Sequence, residues 1–176
     1  MPRTYSGQGI VLKRDNFSEA DRLVTIFSQR QGKLKLLAKG VRRLTSRKKG
    51  HLELFTQVKF LAAKGKSLDL ITEVETLNNF KNLRQNLNRV RVAYLLCELT
   101  DQLTAEGQEH PEVYRLLLES LAKLNSASAP KNLIEQFEAK LLTYLGFGLP
   151  PAPSRASLEA HIASITDKHL NSKKIK

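Results

Sequence analysis

The sequence has a single cysteine, Cys97, in 176 residues. A disulfide needs two thiols and a multi-cysteine zinc site needs several, so neither can form within one chain. Cys97 follows the apolar run AYLL at residues 93–96 and is predicted to be a buried, unreactive thiol. This cysteine usage fits a reducing, cytoplasmic compartment.

Long apolar runs are also absent. No stretch approaches the roughly 20 apolar residues that span a bilayer, and the first residues carry no hydrophobic signal region. The expectation is a soluble cytoplasmic protein with no membrane partner.

The sequence offers no catalytic pattern. His51, His110, His161 and His169 are scattered, without a second ligand at a convincing spacing. The GQG at residues 7–9 lacks the third glycine and the following helix of a dinucleotide site. We therefore expect no catalytic residue, no cofactor and no metal, and predict that the protein is not an enzyme.

The basic half contains one acidic cluster, formed by Asp15, Glu19 and Asp21. Three carboxylates can hold a metal ion. We favour the alternative that they belong to a capped loop and pair with Arg14 and Arg22.

Acidic residues are few where basic ones are many. The chain has 29 Lys and Arg against 17 Asp and Glu, a net charge of +12. Residues 1–50 hold 13 basic and 3 acidic side chains, whereas residues 81–176 hold 13 and 10. The positive field therefore belongs to the N-terminal third, and it favours a polyanionic partner.

Short β-type segments punctuated by glycine fill the first half. They are expected at residues 8–13, 22–28, 33–38, 52–62 and 67–77, with a hairpin turn at Lys64-Gly65-Lys66. Five short strands without long intervening helices predict a small closed barrel.

The second half has helical spacing instead. Helices are predicted over residues 86–105, from Pro111 onward, over 133–145 and over about 156–170, with a proline-rich break at 150–153. The fold class is therefore α+β: a domain at residues 1–80 holding the barrel, and an all-α helical domain at residues 81–176.

The densest charge lies in residues 33–49, which we call the basic segment. It contains no acidic residue, and its cations are Lys33, Lys35, Lys39, Arg42, Arg43, Arg47, Lys48 and Lys49. Like charges repel unless an anion relieves them. We predict a phosphate-binding surface here, with Arg14 and Arg22 as flanking contacts and little sequence preference.

The basic segment has two other possible interpretations. A solvated loop without a ligand is the ordinary meaning of a charge run, but the absence of acidic neighbours disfavours it. A membrane-surface role needs an amphipathic basic helix, and the stretch between Gly40 and Gly50 is too short and irregular for one.

Several separated blocks resemble a known family, the bacterial DNA repair protein RecO. They are GIVLKR at 9–14, SEADRLVTIFS at 18–28, LAKGVRR at 37–43, GHLELF at 50–55 and FEAKLLTYLGF at 137–147. The resemblance implies an OB-fold barrel followed by a helical domain. It also implies a nucleoid-associated recombination mediator that binds single- and double-stranded DNA and anneals complementary strands. The partners it implies are RecR, the RecA recombinase, and the single-stranded-DNA-binding protein (SSB) that coats the strands.

The sequence departs from the family pattern at two places. Many members carry a four-cysteine zinc module after the Leu-Gly-Phe segment, whereas here the prolines at 150–153 follow without a cysteine. Residues 162–176 resemble the closing helix of longer members, and this resemblance implies an internal deletion. Some members have basic residues ahead of Phe137 that dock the acidic SSB tail, but this chain has Glu135 and Gln136. Arg115 and Lys140 are the candidate contacts if the docking is retained.

Two other functions stay open. One is an RNA-binding OB-fold protein, and the other is an adaptor whose basic segment binds an acidic protein tail. Competition between DNA and RNA tests the first, and peptide binding without nucleic-acid binding would indicate the second.

Overall fold

Five strands precede five helices in the computed structural model, which describes residues 3–166. The strands are β1 (Thr4–Asn16), β2 (Arg22–Ser28), β3 (Gly32–Ala38), β4 (Gln57–Ala63) and β5 (Asp69–Asn78). The helices are α1 (Lys81–Arg84), α2 (Leu87–Leu103), α3 (Pro111–Asn125), α4 (Leu133–Tyr144) and α5 (Arg155–Thr166). The predicted α+β class is confirmed.

The strands close into a barrel in the order β1-β2-β3-β5-β4. The long β1 serves two neighbours, because its first half pairs with β4 and its second half with β2. Closure is completed by a short parallel contact in which Leu36 and Leu37 of β3 pair with Asp69 and Leu70 of β5. This is the strand order of an OB fold, as the resemblance implied.

Alternation along the strands separates two apolar clusters. Val24, Ile26 and Phe60 fill the barrel interior. Ile10 and Phe27 belong to a second cluster, which continues into the buried faces of α2, α3 and α4. The helices therefore pack on the outside of the barrel, and the two halves of the chain share one core.

The structure corrects the predicted start of β4. Residues 52–56 are a turn, not strand, and Phe55 has a positive φ of 68°. Leu52 and Phe55 are nevertheless buried, so the apolar pattern predicts their burial correctly, whereas the predicted strand is wrong for residues 52–56. β1 is also longer than predicted, and the short helix α1 was not foreseen.

Local sequence features mark four of the helix ends. The Asn86 side chain accepts the Arg89 backbone N–H at 3.1 Å, and Pro111 occupies the first turn of α3. Ser154 accepts the Ser157 N–H at 3.2 Å at the start of α5, and Gly146 adopts a positive φ of 78° after α4. The predicted end of the last helix, about residue 170, lies outside the described residues.

Cys97 lies in the helical core, as predicted, and burial raises the pKa of its thiol. None of the helices within residues 3–166 has the length and apolar character needed to cross a membrane.

Candidate nucleic-acid interface

The β3–β4 connection carries most of the predicted site, and we call residues 39–49 the basic loop. Two buried apolar side chains anchor it: Val41 near its start and Leu52 just after its end. Between them the backbone forms consecutive turns, since the Arg43 N–H donates to Gly40 O and the Ser46 N–H to Arg43 O, both at 3.1 Å. The basic loop is therefore held in a defined shape against the barrel.

The β1–β2 loop braces the basic loop from the side. The Gly40 N–H donates to the Asp21 carboxylate at 2.7 Å, and this hydrogen bond, aided by the nearby charges of Lys39 and Arg43, lowers the pKa of Asp21. Arg42 donates to Ser18 O from its guanidinium and to Ala20 O from its backbone, both at 3.0 Å.

This bracing corrects the predicted partners of the acidic cluster. Asp21 bonds to the loop backbone instead of to Arg22, and Asp15 pairs with Lys13 at 3.4 Å. Arg14 pairs with Glu53 at 2.9 Å. Within residues 3–166 no group of three or more potential ligands is placed to hold a metal ion.

Five cations of the basic loop are exposed and form no ion pair within the described part of the chain. They are Lys39, Arg42, Arg43, Arg47 and Lys49. Arg42 has one guanidinium nitrogen occupied by Ser18 O and keeps further donors available. Clustered cations on an ordered loop present several donors to consecutive phosphate groups.

Lys48 has a different environment. Its ammonium donates to Ile71 O at 2.8 Å, on the β5 stretch that follows the short pairing with β3. His51 makes a second contact with β5, because its Nδ1 lies 2.7 Å from the Thr76 hydroxyl. Lys48 therefore ties the basic loop to the barrel, although its charge still adds to the local field.

The expectation that the basic segment lacks counter-charge is wrong for its first two cations. Lys33 is buried, contacts the Asp101 carboxylate at 3.1 Å and donates to Asp101 O at 2.6 Å. Lys35 contacts Glu106 at 2.6 Å, and this hydrogen bond raises the pKa of Lys35. Both acids come from the helical half, about 70 residues away in sequence, so no local pattern reveals them.

Lys35 and Lys33 line a groove of about 340 Å³ between the barrel and the helices. Lys13, Asp15 and Asp101 also line it, so its charge is mixed. None of the residues that line this groove in the described part of the chain belongs to the basic loop. Of the two predicted flanking contacts, Arg14 is bound to Glu53 and Arg22 is partly buried at the start of β2, opposite Ala38.

One exposed residue of the basic loop is not predicted from the sequence. Leu44 is the only apolar side chain between Arg42 and Lys49, and it is 96% exposed. An isolated leucine in a basic stretch is a detectable signal, although it gives no indication of exposure. The two candidates for the acidic tail, Arg115 on α3 and Lys140 on α4, are both exposed.

Comparison with known proteins matches most of the chain to two family models. The model described as "Recombination protein O N terminal" matches residues 1–80, and "Recombination protein O C terminal" matches residues 84–150. Helix α5 follows these matched regions.

Curated relatives agree with the family models. "DNA repair protein RecO" of Roseiflexus sp. (strain RS-1) is 37% identical over 145 residues, which is 82% of this chain and 51% of the relative. The protein of the same description from Symbiobacterium thermophilum is 38% identical over 144 residues, 81% of this chain and 57% of the relative. The chain spans about half the length of the curated relatives it matches.

Proposed function

The chain belongs to the RecO family of DNA repair proteins, and from this premise we propose that it binds DNA in recombinational repair through the basic loop. The observation that supports the proposal most directly is the set of five exposed cations without ion pairs within residues 3–166. They lie on a loop that Val41, Leu52 and Asp21 hold in place. Such a surface binds phosphate groups on either single or double strands.

The proposed activity is strand annealing and assistance to RecA loading on SSB-coated single strands, together with RecR, without catalysis. Cations that neutralise phosphates lower the repulsion between two complementary strands, which is the physical requirement for annealing. In this proposal phosphates are bound directly by the five exposed cations Lys39, Arg42, Arg43, Arg47 and Lys49. Lys48 anchors the loop, and its charge adds to the positive electrostatic potential.

Contact with SSB belongs to the same proposal. Arg115 and Lys140 present exposed positive charge on two helices that pack together, α3 and α4. Glu135 in the first turn of α4 reduces the positive field of that helix. An acidic tail would therefore bind more weakly here than on a surface without the carboxylate.

The first test replaces Arg42, Arg43 and Arg47 with alanine together. Each phosphate contact contributes about 0.7 to the salt slope of single-strand binding, so the slope should fall by about two. Affinity near 0.1 M salt should drop by between about ten- and 100-fold, equally for all sequences. Titration of a labelled single strand by fluorescence anisotropy, repeated at several salt concentrations, measures both quantities.

The matched control is the triple replacement of Lys81, Lys123 and Lys131, three exposed cations of the helical half. It removes the same charge from elsewhere and should leave the affinity nearly unchanged. Equal effects of the two triple variants, or no effect of either, would refute the basic loop as the DNA surface. The same proteins in strand-annealing assays, with bare and SSB-coated strands and with RNA competitors, test the mediator activity and the RNA alternative.

A further inference from the structure

Two large apolar side chains are exposed at the end of the barrel that carries the basic loop. Phe17 in the β1–β2 loop is 54% exposed, and Leu44 is 96% exposed. Single exposed apolar residues are ordinary on protein surfaces, so exposure alone indicates nothing. Their position beside the unpaired cations is what requires an explanation.

Phe17 belongs to a loop that bonds directly to the basic loop. Its backbone N–H donates to Asp21 O at 3.1 Å and so closes the β1–β2 loop. The next residue, Ser18, accepts the Arg42 guanidinium at 3.0 Å. The ring is thus carried one residue away from a backbone group that an unpaired cation of the basic loop contacts.

Leu44 is held at the tip of the basic loop by the turn from Arg43 to Ser46. It occupies the second position of that turn, with Arg43 before it and Arg47 three residues after it. Since Val41 and Leu52 anchor the loop in the core, the exposed leucine is presented outward by an ordered backbone.

The other aromatic side chains of the barrel are buried or already contact other groups of the protein. Phe27, Phe55 and Phe60 are buried. Tyr5 donates its hydroxyl to Asp69 at 2.8 Å, and the Lys64 ammonium lies 4.7 Å from its ring centroid. Among the described strands and loops of the barrel, Phe17 is the aromatic residue that is more than half exposed.

We propose that Phe17 and Leu44 contact unpaired nucleobases of a DNA strand whose phosphates are held by the basic loop. Single-strand sites combine phosphate-binding cations with apolar platforms on which bases stack. In a duplex the bases stack on each other, and access to their faces requires unstacking. The contact therefore gives the site a preference for single strands over duplexes, an inference that rests on the proposed function.

The test compares a single-stranded oligonucleotide with an abasic strand of the same length, which keeps the phosphates and lacks the bases. The native protein should bind the base-containing strand about tenfold more tightly, within the range found for base–aromatic stacking. The double variant F17A/L44A should bind both strands alike, at the native affinity for the abasic strand, with an unchanged salt slope. The matched control L77A/L87A removes two exposed leucines elsewhere and should keep the tenfold ratio.

A second readout uses the absence of tryptophan from the chain. In F17W the only indole stands at the proposed platform, so its fluorescence reports on this position alone. Quenching by the oligonucleotide, and not by the abasic strand or by inorganic polyphosphate, is the expected result. Thermal unfolding of each variant should match the native protein, because both side chains are exposed.

Two results would overturn the platform while leaving DNA binding intact: equal native affinity for both strands, or an unchanged tenfold ratio in F17A/L44A. A spectral shift of F17W with vesicles of anionic lipid, and none with DNA, would instead assign the patch to a membrane surface. Failure of the native protein to bind either strand would reject the proposed function itself.

Discussion

At the scale of single residues, Glu138 is an ionisable side chain buried in the helical half. Its side chain is almost fully buried on α4, and Arg155 at the start of α5 donates to it at 2.6 Å. The second carboxylate oxygen has no hydrogen-bond partner among residues 3–166. Burial raises the pKa of Glu138, and the Arg155 charge only partly opposes this effect.

The raised pKa makes the stability depend on pH in a definite direction. A group with a raised pKa contributes its full stability below its unfolded value, near 4.3 for glutamate, and loses it as pH rises through the folded value. Glu138→Gln removes this titration. The free energy of unfolding of the variant, relative to the native protein, should therefore increase as the pH rises from about 4 to 7.

Arg155→Ala leaves the carboxylate buried without its partner. Removing one partner of a fully buried pair costs about 3–5 kcal/mol. Arg155 is 37% exposed, so a loss of about 1–3 kcal/mol is expected at pH 7. The loss should be smaller at pH 4, where Glu138 is closer to neutral.

Urea unfolding at several pH values measures both variants. An E138Q difference that stays constant with pH would show that the ion pair fully compensates the burial. An equal loss for R155A at pH 4 and pH 7 would contradict the electrostatic account.

Residue-level prediction succeeded where a property is local. Burial of Cys97 follows from the apolar run in its own segment and is confirmed. The pairing of Lys33 with Asp101 depends on how α2 packs on the barrel, and no nearby residue encodes it. The charge of the basic segment was therefore predictable from the sequence, but the division between paired and exposed cations was not.

At the scale of elements, the β3 strand joins the barrel to the loop between α2 and α3. The Gly107 N–H donates to Lys33 O at 3.0 Å. Gly32 has a positive φ of 68°, and a Cβ built on it would lie 2.0 Å from Gln108 O. The strand can approach the helical half this closely because residue 32 has no side chain.

Gly32→Ala should therefore destabilise the protein more than Gly107→Ala. Both glycines have φ near 70°, a conformation that costs a non-glycine residue about 1–2 kcal/mol. A Cβ on Gly107 meets nothing within 4 Å, so only this backbone cost applies. Gly32→Ala adds a clash with backbone, and overpacking of this kind costs about a further 1–3 kcal/mol.

Urea unfolding of the two variants under the same conditions gives the comparison. The difference between them isolates the steric contact, because the backbone cost is shared. Equal losses would mean that the β3 contact relaxes without cost.

Element boundaries were predicted well where a turn or cap residue marks them. The turn at Lys64-Gly65-Lys66 and the helix start at Pro111 mark ends within a few residues of those observed. The start of β4 was missed because Leu52 and Phe55 are buried by tertiary contacts within a turn. Apolar periodicity indicates burial, and it cannot distinguish a strand from a loop whose apolar side chains are buried.

At the scale of the whole molecule, the shared core makes the barrel and the helices depend on each other. Ile10, Leu12 and Phe27 lie on strands, yet they belong to the same cluster as the buried faces of α2, α3 and α4. Polar contacts cross the same boundary: Arg84 donates to Leu54 O at 2.6 Å and to the Thr56 hydroxyl at 2.9 Å. Separation of the halves would expose the outer face of β1 and β2.

The chain should therefore unfold as one cooperative unit, so that a change in either half destabilises both. Phe60→Leu in the barrel interior should cost about 1 kcal/mol, and Leu121→Ala in the helical core about 2–5 kcal/mol. Hydrogen exchange monitored by mass spectrometry reads the protection of peptides from β2 and α2 separately. Each variant should lower the protection of the slowest amides in both peptides by the same free energy.

If Phe60→Leu lowered protection in β2 and left α2 unchanged, the barrel would be an independent folding unit. The contacts of Phe27 and Arg84 would then be a docking interface between two separately stable parts.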